Sequence, residues 1–213
     1  IIDPKTRKVV GAIPTGQQAS HNVAIAADGR RGYTSNVFQG TVSVLDLKTR
    51  KLVTIVPVAA SPGADEPAKQ VGPSQWRVQR IALSRDNKIA FTCDWVNSTL
   101  AAIDTATYAV RRSVPLSSPC YNIATTADGQ YVLAVANAAK KLVVIDITSM
   151  IVVMTIDVPA TPQQILVRPD GKVAYVSCDK EQQVVAINTS TWTIEQTINT
   201  GYYPDGLAWA TLR

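Results

Sequence analysis

The chain writes one pattern five times. "TVSVLDLKT" (Thr41 to Thr49) returns as "LAAIDTATY" (Leu100 to Tyr108), "KLVVIDITS" (Lys141 to Ser149) and "QVVAINTST" (Gln183 to Thr191), and the chain opens on a remnant, "IIDPKT". The marker residues Asp3, Asp46, Asp104, Asp146 and Asn188 lie 43, 58, 42 and 42 residues apart. A second marker, Asp28-Gly29, Asp86-Asn87, Asp128-Gly129 and Asp170-Gly171, keeps the intervals 58, 42 and 42. Both rulers give a period of about 42 with one 16-residue insertion. A period in this range means that each unit is one supersecondary element, able to bury its faces only against its neighbours.

Within a unit, short β-prone runs alternate with turn residues: "NVAIA", the turn "ADGR", "GYTSN", "TVSVLD", the turn "LKTR" and "KLVTIVPV". Val, Ile, Tyr and Thr favour a pleated strand, and Asp-Gly between two such runs predicts a tight hairpin. The Asp46/Thr49 spacing predicts a turn capped by its own side chains, repeated at Asp3/Thr6, Asp104/Thr107, Asp146/Ser149 and Asn188/Thr191. That role is structural and needs no catalytic explanation. Four antiparallel strands per 40 to 45 residues predict an all-β chain, a β-propeller of four-stranded blades whose first strands line a central channel.

One propeller domain is expected over 1–213. It divides into a partial blade over 1–16, blades over 17–58, 75–116, 117–158 and 159–201, an inserted loop over 59–74, and a partial blade over 202–213. The N-terminal piece supplies only third and fourth strands, and the C-terminal piece only an inner strand, "DGLAWATL". With no second strand between them, "GLAWAT" is expected to pack beside the preceding blade without pairing with "IID". About five repeats of a larger, six- to eight-bladed propeller is the reading this favours. A five-bladed ring with a three-stranded closing blade is the alternative.

The unit "VAIAADGRRGYTSN…GTVSVLDLKTRKLVTIVPV" resembles the YVTN-type β-propeller repeat, and the resemblance covers essentially the whole chain. Its tetrad drifts from Tyr33-Thr34-Ser35-Asn36 through Phe91-Thr92-Cys93-Asp94 and Leu133-Ala134-Val135-Ala136 to Tyr175-Val176-Ser177-Cys178. The resemblance implies an extracytoplasmic protein of the surface-layer or cell-envelope kind. Similar propellers carry lactonases, quinoprotein amine dehydrogenase subunits and haem-d1 domains, which implies an enzymatic alternative.

Hydrophobic residues make up 46% of the chain and charged residues 17%, the balance of a folded domain rather than a disordered one. Lys and Arg number 21 against 16 Asp and Glu. The basic doublets Arg30-Arg31, Arg111-Arg112 and Lys140-Lys141 sit at expected strand ends without interleaved aromatics, so no nucleic-acid partner is expected. No apolar run reaches the length of a membrane-spanning helix. The chain lacks an initiator Met and a signal-like segment, as a processed product or part of a longer protein would. Cys93, Cys120 and Cys178 have no CxxC spacing, and no zinc, haem or other cofactor is expected. Cys93 and Cys178 fall two blades apart and Cys120 in a loop column, so three unpaired, buried thiols are expected.

Aligning the inner strands on Ala24, Ala82, Ala124, Leu166 and Ala208 locates the channel mouth. Three residues before each anchor stand His21, Gln79, Tyr121, Gln163 and Asp205. Two before stand Asn22, Arg80, Asn122, Gln164 and Gly206. These columns are polar and differ from blade to blade. An ordinary solvated strand entrance fits them, and so does a recognition rim with His21, Asn22, Gln79, Arg80, Tyr121, Asn122, Gln163 and Asp205 as ligand contacts. The insertion enters on this face and carries Asp65, Glu66, Trp76 and Arg77, the residues of a docking loop. Trp76 either packs that loop down or stacks on a partner. His21 is the one histidine and lies in no nucleophile motif, and no Gly-rich phosphate loop occurs. The sequence therefore reads as a non-catalytic binding or scaffold module, extracytoplasmic as the YVTN resemblance implies. Its expected partner is a protein or cell-envelope component, with a second subunit or further chain closing the ring.

Overall fold

The computed structural model describes residues 1–59 and 76–210. Most of the insertion, including Asp65 and Glu66, lies outside them. The described residues form strands and turns without a helix, and so hold no helix long and apolar enough to cross a membrane.

Four antiparallel four-stranded sheets follow one another. The first blade holds β3 (Ser20–Ile25), β4 (Arg31–Asn36), β5 (Thr41–Asp46) and β6 (Lys51–Pro57). The second holds β7 (Val78–Leu83), β8 (Ile89–Asp94), β9 (Thr99–Asp104) and β10 (Val110–Pro115). The third holds β11 (Cys120–Thr125), β12 (Tyr131–Ala136), β13 (Lys141–Asp146) and β14 (Ile151–Asp157). The fourth holds β15 (Pro162–Val167), β16 (Val173–Cys178), β17 (Gln183–Asn188) and β18 (Ile194–Asn199). Ahead of them β1 (Ile2–Asp3) pairs with β2 (Lys8–Val9). Inner strands of successive blades lie side by side, β3 on β7, β7 on β11 and β11 on β15. This is propeller architecture.

The core sits between blades, and strand alternation decides which face joins which layer. Along β12, Val132 and Ala134 pack with Phe91 and Leu100 of the second blade, while Leu133 and Val135 pack with Val176 and Ile187 of the fourth. A strand covered on both sides needs apolar residues at every position, which is why "YVLAVA" and "KLVVID" read as nearly continuous runs. Tyr33, Val42 and Val44 meet Ile81, Ala90 and Ile103 in the layer between the first and second blades.

The turns are built by the two sequence markers. Asp46 accepts from the Thr49 amide at 2.7 Å, Asp146 from the Ser149 amide at 2.7 Å, and Asp104 from the Ala106 and Thr107 amides, both at 2.8 Å. The residue four past each marker, Arg7, Arg50, Tyr108, Met150 or Trp192, takes a left-handed φ between 54° and 58°. At the hairpins, Asp28, Asp86, Asp128 and Asp170 each accept from the amide two residues on, and Gly29, Asn87, Gly129 and Gly171 take the positive φ.

Two expectations are corrected. Cys93 and Cys120 form a disulfide, with Cα atoms 5.3 Å apart, and only Cys178 is a free, buried thiol. The second strand of one blade lies against the inner strand of the next, so β8 brings Cys93 to the start of β11. Cys120 is the first residue of that strand and not a loop residue. At the C-terminus no strand forms over 203–210. The Asp205 carbonyl accepts from the Ser177 hydroxyl at 3.0 Å, so the segment lies beside the fourth blade, and no ladder joins Ala208–Ala210 to Ile1–Asp3. Among the described residues no strand lies beside this segment to pair with it, and its backbone is irregular.

Candidate functional site at the channel mouth

Each inner strand carries a bulge as it leaves the channel mouth. The ladder skips His21 between Ser20 and Asn22, Arg80 between Gln79 and Ile81, and Tyr121 between Cys120 and Asn122. In the fourth blade it skips both Gln163 and Gln164. A bulged residue makes no ladder bond and its side chain is re-aimed, so four blades each present a differently pointed polar group at one rim.

The bulge of the second blade falls one residue later than in the first and third. That slip divides the candidates. Arg80, at a φ of 24°, is the rim residue of its blade. Gln79 is buried below it, where its carbonyl accepts from Thr92 Oγ1 at 2.7 Å. Asn22 and Asn122 are structural staples between blades. Asn22 Oδ1 accepts from the Ile81 amide at 2.9 Å, and Asn122 Nδ2 donates to Gln164 Oε1 at 2.6 Å.

Arg80 and Trp76, with Trp95, converge on Tyr121. Its ring centroid stands 6.0 Å from that of Trp76, 6.1 Å from that of Trp95 and 6.0 Å from the Arg80 guanidinium carbon. Trp76 and Trp95 meet edge to face at 5.4 Å. Trp76 thus packs the C-terminal end of the insertion down onto the rim. Arg77 extends that anchor, its amide donating to the Val37 carbonyl at 2.8 Å and its carbonyl accepting from the Trp95 amide at 2.7 Å.

Electrostatics ties the far sides of the mouth together. Burial pushes the Tyr121 hydroxyl above its ordinary value; the Asp205 and Asp179 charges push the same way, and Arg80 opposes them. Burial also holds the His21 imidazole below its ordinary value, with Arg80 lowering it further and Asp205 opposing. Although its side chain is exposed overall, His21 is therefore a neutral ring beside a cation at neutral pH. Gln163 Nε2 reaches Asp179 Oδ2 at 3.5 Å, the limit of a hydrogen bond. Arg80 Nε, Gln163 Oε1 and Asp179 Oδ1 are buried atoms with no hydrogen-bond partner among the described residues.

Two contributors, Trp95 and Asp179, escaped the sequence reading. Both stand directly after the four-residue tetrad, in the loop between second and third strands. That loop opens on the same face as the loop entering the inner strand, because the strands are antiparallel. Scanning the tetrad-plus-one column (Val37, Trp95, Asn137 and Asp179) would have found them.

The opposite face offers a cleft of about 260 Å³ lined in part by Arg30, Arg31, Tyr33 and Tyr108. Arg31 is engaged there with Asp46 at 2.6 Å and with the Tyr108 hydroxyl at 3.4 Å, so one of the cleft's two arginines is already committed. Among the described residues, no three of His, Cys, Asp and Glu gather where they would hold a metal ion.

No protein-family model matches the chain, and no curated protein matches it. Solved β-propeller structures do. A chain of Kuenenia stuttgartiensis hydrazine synthase superposes with a TM-score of 0.71 at 16% identity, over 89% of this chain and 52% of that one. U3-55K superposes with a TM-score of 0.73 at 11% identity, over 89% of this chain and 55% of that one. At these identities the likeness shows the fold, an all-β propeller. The chain spans about half the length of each structure it matches.

Proposed function

We propose that the chain is a non-catalytic binding module of the YVTN-like kind that works outside the cytoplasm and recognises its ligand at the channel mouth. The observation that carries this reading is the convergence of Arg80, Tyr121, Trp76, Trp95, Gln163 and Asp179 from three blades and two kinds of loop. Amides, aromatic rings and a partly buried guanidinium are groups that orient a ligand. The single histidine is held neutral and has no Ser, Thr or Cys hydrogen-bonded to it among the described residues, so the nucleophile–base geometry of acyl transfer is not assembled there. The fold does not decide between binding and catalysis, since one matched structure is a chain of an enzyme and the decision belongs to the site. The Cys93–Cys120 disulfide supports an oxidising compartment. The partner under this reading is a protein or a component of the cell envelope, and a second subunit or further chain covers the open faces.

A thermal-shift screen against peptides, saccharides and small metabolites tests the proposal, using wild type, Tyr121→Ala and Arg80→Ala. Binding is expected to raise the unfolding midpoint of wild type and of neither variant, with the ligand recovered unchanged by mass spectrometry. Chemical turnover of the ligand would favour the enzymatic alternative. Shifts that survive both substitutions would remove the mouth as the recognition surface.

A further inference from the structure

The two faces of the propeller differ in charge, and from that difference we infer that the face opposite the mouth docks on an anionic lipid surface. This surface is separate from the mouth and does not depend on what the mouth binds.

In an antiparallel blade the turns between first and second strands and between third and fourth strands open on one face, and the other loops open on the mouth. Each charged residue of the described chain lies in such a loop or in the half of a strand next to one, which assigns it to a face. The mouth face carries five basic residues, Arg77, Arg80, Lys140, Lys141 and Lys180. It carries as many acidic ones, Asp94, Asp157, Asp179, Glu181 and Asp205. The turn face carries 14 basic and nine acidic residues, so the chain's whole excess of five positive charges stands there.

Within the turn face the excess is uneven. The first blade and the hairpin before it hold eight basic residues against Asp3, Asp28 and Asp46, whereas the third blade holds none against Asp128 and Asp146. Arg50 Nη1 donates to the Val10 carbonyl at 3.2 Å, and the Leu47 amide donates to the Arg30 carbonyl at 3.0 Å, so the three basic turns adjoin. Lys5, Arg7, Lys8, Arg30, Lys48 and Lys51 are exposed there, and none has an acidic partner among the described residues. The three carboxylates are bound to their own turns instead, accepting from the Lys5 amide at 2.8 Å, the Arg30 amide at 2.9 Å and the Thr49 amide at 2.7 Å. Cations so gathered repel one another, and an anionic surface relieves that repulsion.

The chemistry of these turns selects the partner. Over 4–8, 27–30 and 48–51 the only exposed apolar residues are Pro4 and Ala27, and no aromatic residue occurs. A specific protein partner is held by a desolvated core of apolar or aromatic anchors, and a single-stranded nucleic acid by stacking rings; the turns present neither. A lipid leaflet asks only for cations spread over one face, each strengthening attachment roughly fivefold. The cleft of about 260 Å³ opens among these turns, and Arg30 on its wall is free to meet a headgroup phosphate. Asp28, on the same wall, is the carboxylate already bound to the Arg30 amide.

Vesicle co-sedimentation tests the inference, with phosphatidylcholine alone and with phosphatidylcholine containing one third phosphatidylglycerol. The chain is expected to bind only the anionic vesicles and to leave them at about 1 M salt, where screening is nearly complete. Lys5→Gln with Lys8→Gln, and Lys48→Gln with Lys51→Gln, are each expected to weaken binding about tenfold or more. Lys140→Gln with Lys180→Gln removes the same charge from the mouth face and should leave binding nearly unchanged, as should Tyr121→Ala. All these variants should keep the wild-type unfolding midpoint within a few degrees. No binding to the anionic vesicles, or equal binding to both kinds, would overturn the inference. So would an equal loss in the mouth-face pair, which would assign the effect to net charge rather than to a face. Tighter binding of poly-glutamate or duplex DNA, at the same concentration of negative charge and physiological salt, would replace the lipid with a protein or nucleic-acid partner.

Discussion

Asp146 accepts from both the amide and the hydroxyl of Ser149, at 2.7 Å each, and its counterparts do similar work in every blade. Replacing it with alanine frees those donors in a turn that strand pairing alone must then hold. Asp146→Ala is expected to lower stability by about 1 kcal/mol, as for other side-chain caps, read from the urea midpoint. Backbone hydrogen bonds hold the Asp104 and Asp146 carboxyls below their ordinary value, and bonds from Thr49 bring Asp46 to about 2. Their folded pKa values lie below the unfolded ones. Their stabilisation is therefore complete above the ordinary carboxylate pKa of about 4 and is lost as pH falls towards 2. His21 acts in the same direction, since its folded pKa is also depressed and protonation below about 6.5 opposes folding. Unfolding midpoints at pH 7, 5, 4, 3 and 2 should decline most steeply between the last three; a flat profile would contradict the turn assignment. Left-handed backbone makes a different prediction. Gly40 has a φ of 68°, and a Cβ there would meet the Ala59 carbonyl oxygen at 3.0 Å. Lys140 occupies the equivalent turn with a φ of 55°, so Lys140→Gly should be neutral or stabilising by up to about 1 kcal/mol in urea denaturation.

The Cys93–Cys120 disulfide joins the elements that carry two of the three aromatic rings packed at the mouth. Cys93 on β8 lies two residues before Trp95, which directly follows that strand, and Cys120 adjoins Tyr121 on β11, so one covalent link fixes the spacing of two of the three rings. Thiol titration in denaturant without reductant should find one free thiol, Cys178, whose burial pushes its pKa up to about 12 in the folded chain. Three free thiols would contradict the pairing. Closing a loop over a sequence separation of 27 residues restricts the unfolded chain, so reduction or Cys93→Ser with Cys120→Ser is expected to lower stability by about 3–4 kcal/mol. The same experiment should broaden tryptophan emission, because Trp95 and Tyr121 would no longer be held together. The elements were legible in the sequence because each strand and turn follows from local chemistry repeated at a fixed period. The disulfide was not, since it depends on which strand of one blade faces which strand of the next. The bulges were hidden for a related reason. A bulge leaves the period unchanged while moving a side chain by one position, and only the ladder shows that Arg80 and not Gln79 reaches the rim.

At the scale of the whole molecule, a blade stays folded because its neighbours cover both faces. The third blade has this cover, and Leu133, fully buried between it and the fourth, reports on it. Leu133→Ala is expected to lower stability by 2–5 kcal/mol, roughly the range for a core cavity that cannot collapse, as measured by urea denaturation. The ends are different: Val23 and Ile25 of β3 and Ile194 and Ile198 of β18 are exposed. Architecture was readable from two rulers and a strand count, whereas the mouth was half readable. Its polar columns showed in an alignment of the chain with itself, but Asn22, Asn122 and Gln164 turned out to staple blades together, and Trp95 and Asp179 came from loops the alignment did not weigh. The central claim, that these groups form one recognition surface, is tested most directly by hydrogen exchange with and without the tightest-binding compound of the thermal-shift screen. Added protection is expected at 20–22, 78–81, 95–97, 120–122, 162–164 and 179–182, with the turns at 27–30 and 46–50 on the opposite face unchanged. Protection confined to those turns, or to the exposed faces of β3 and β18, would contradict it.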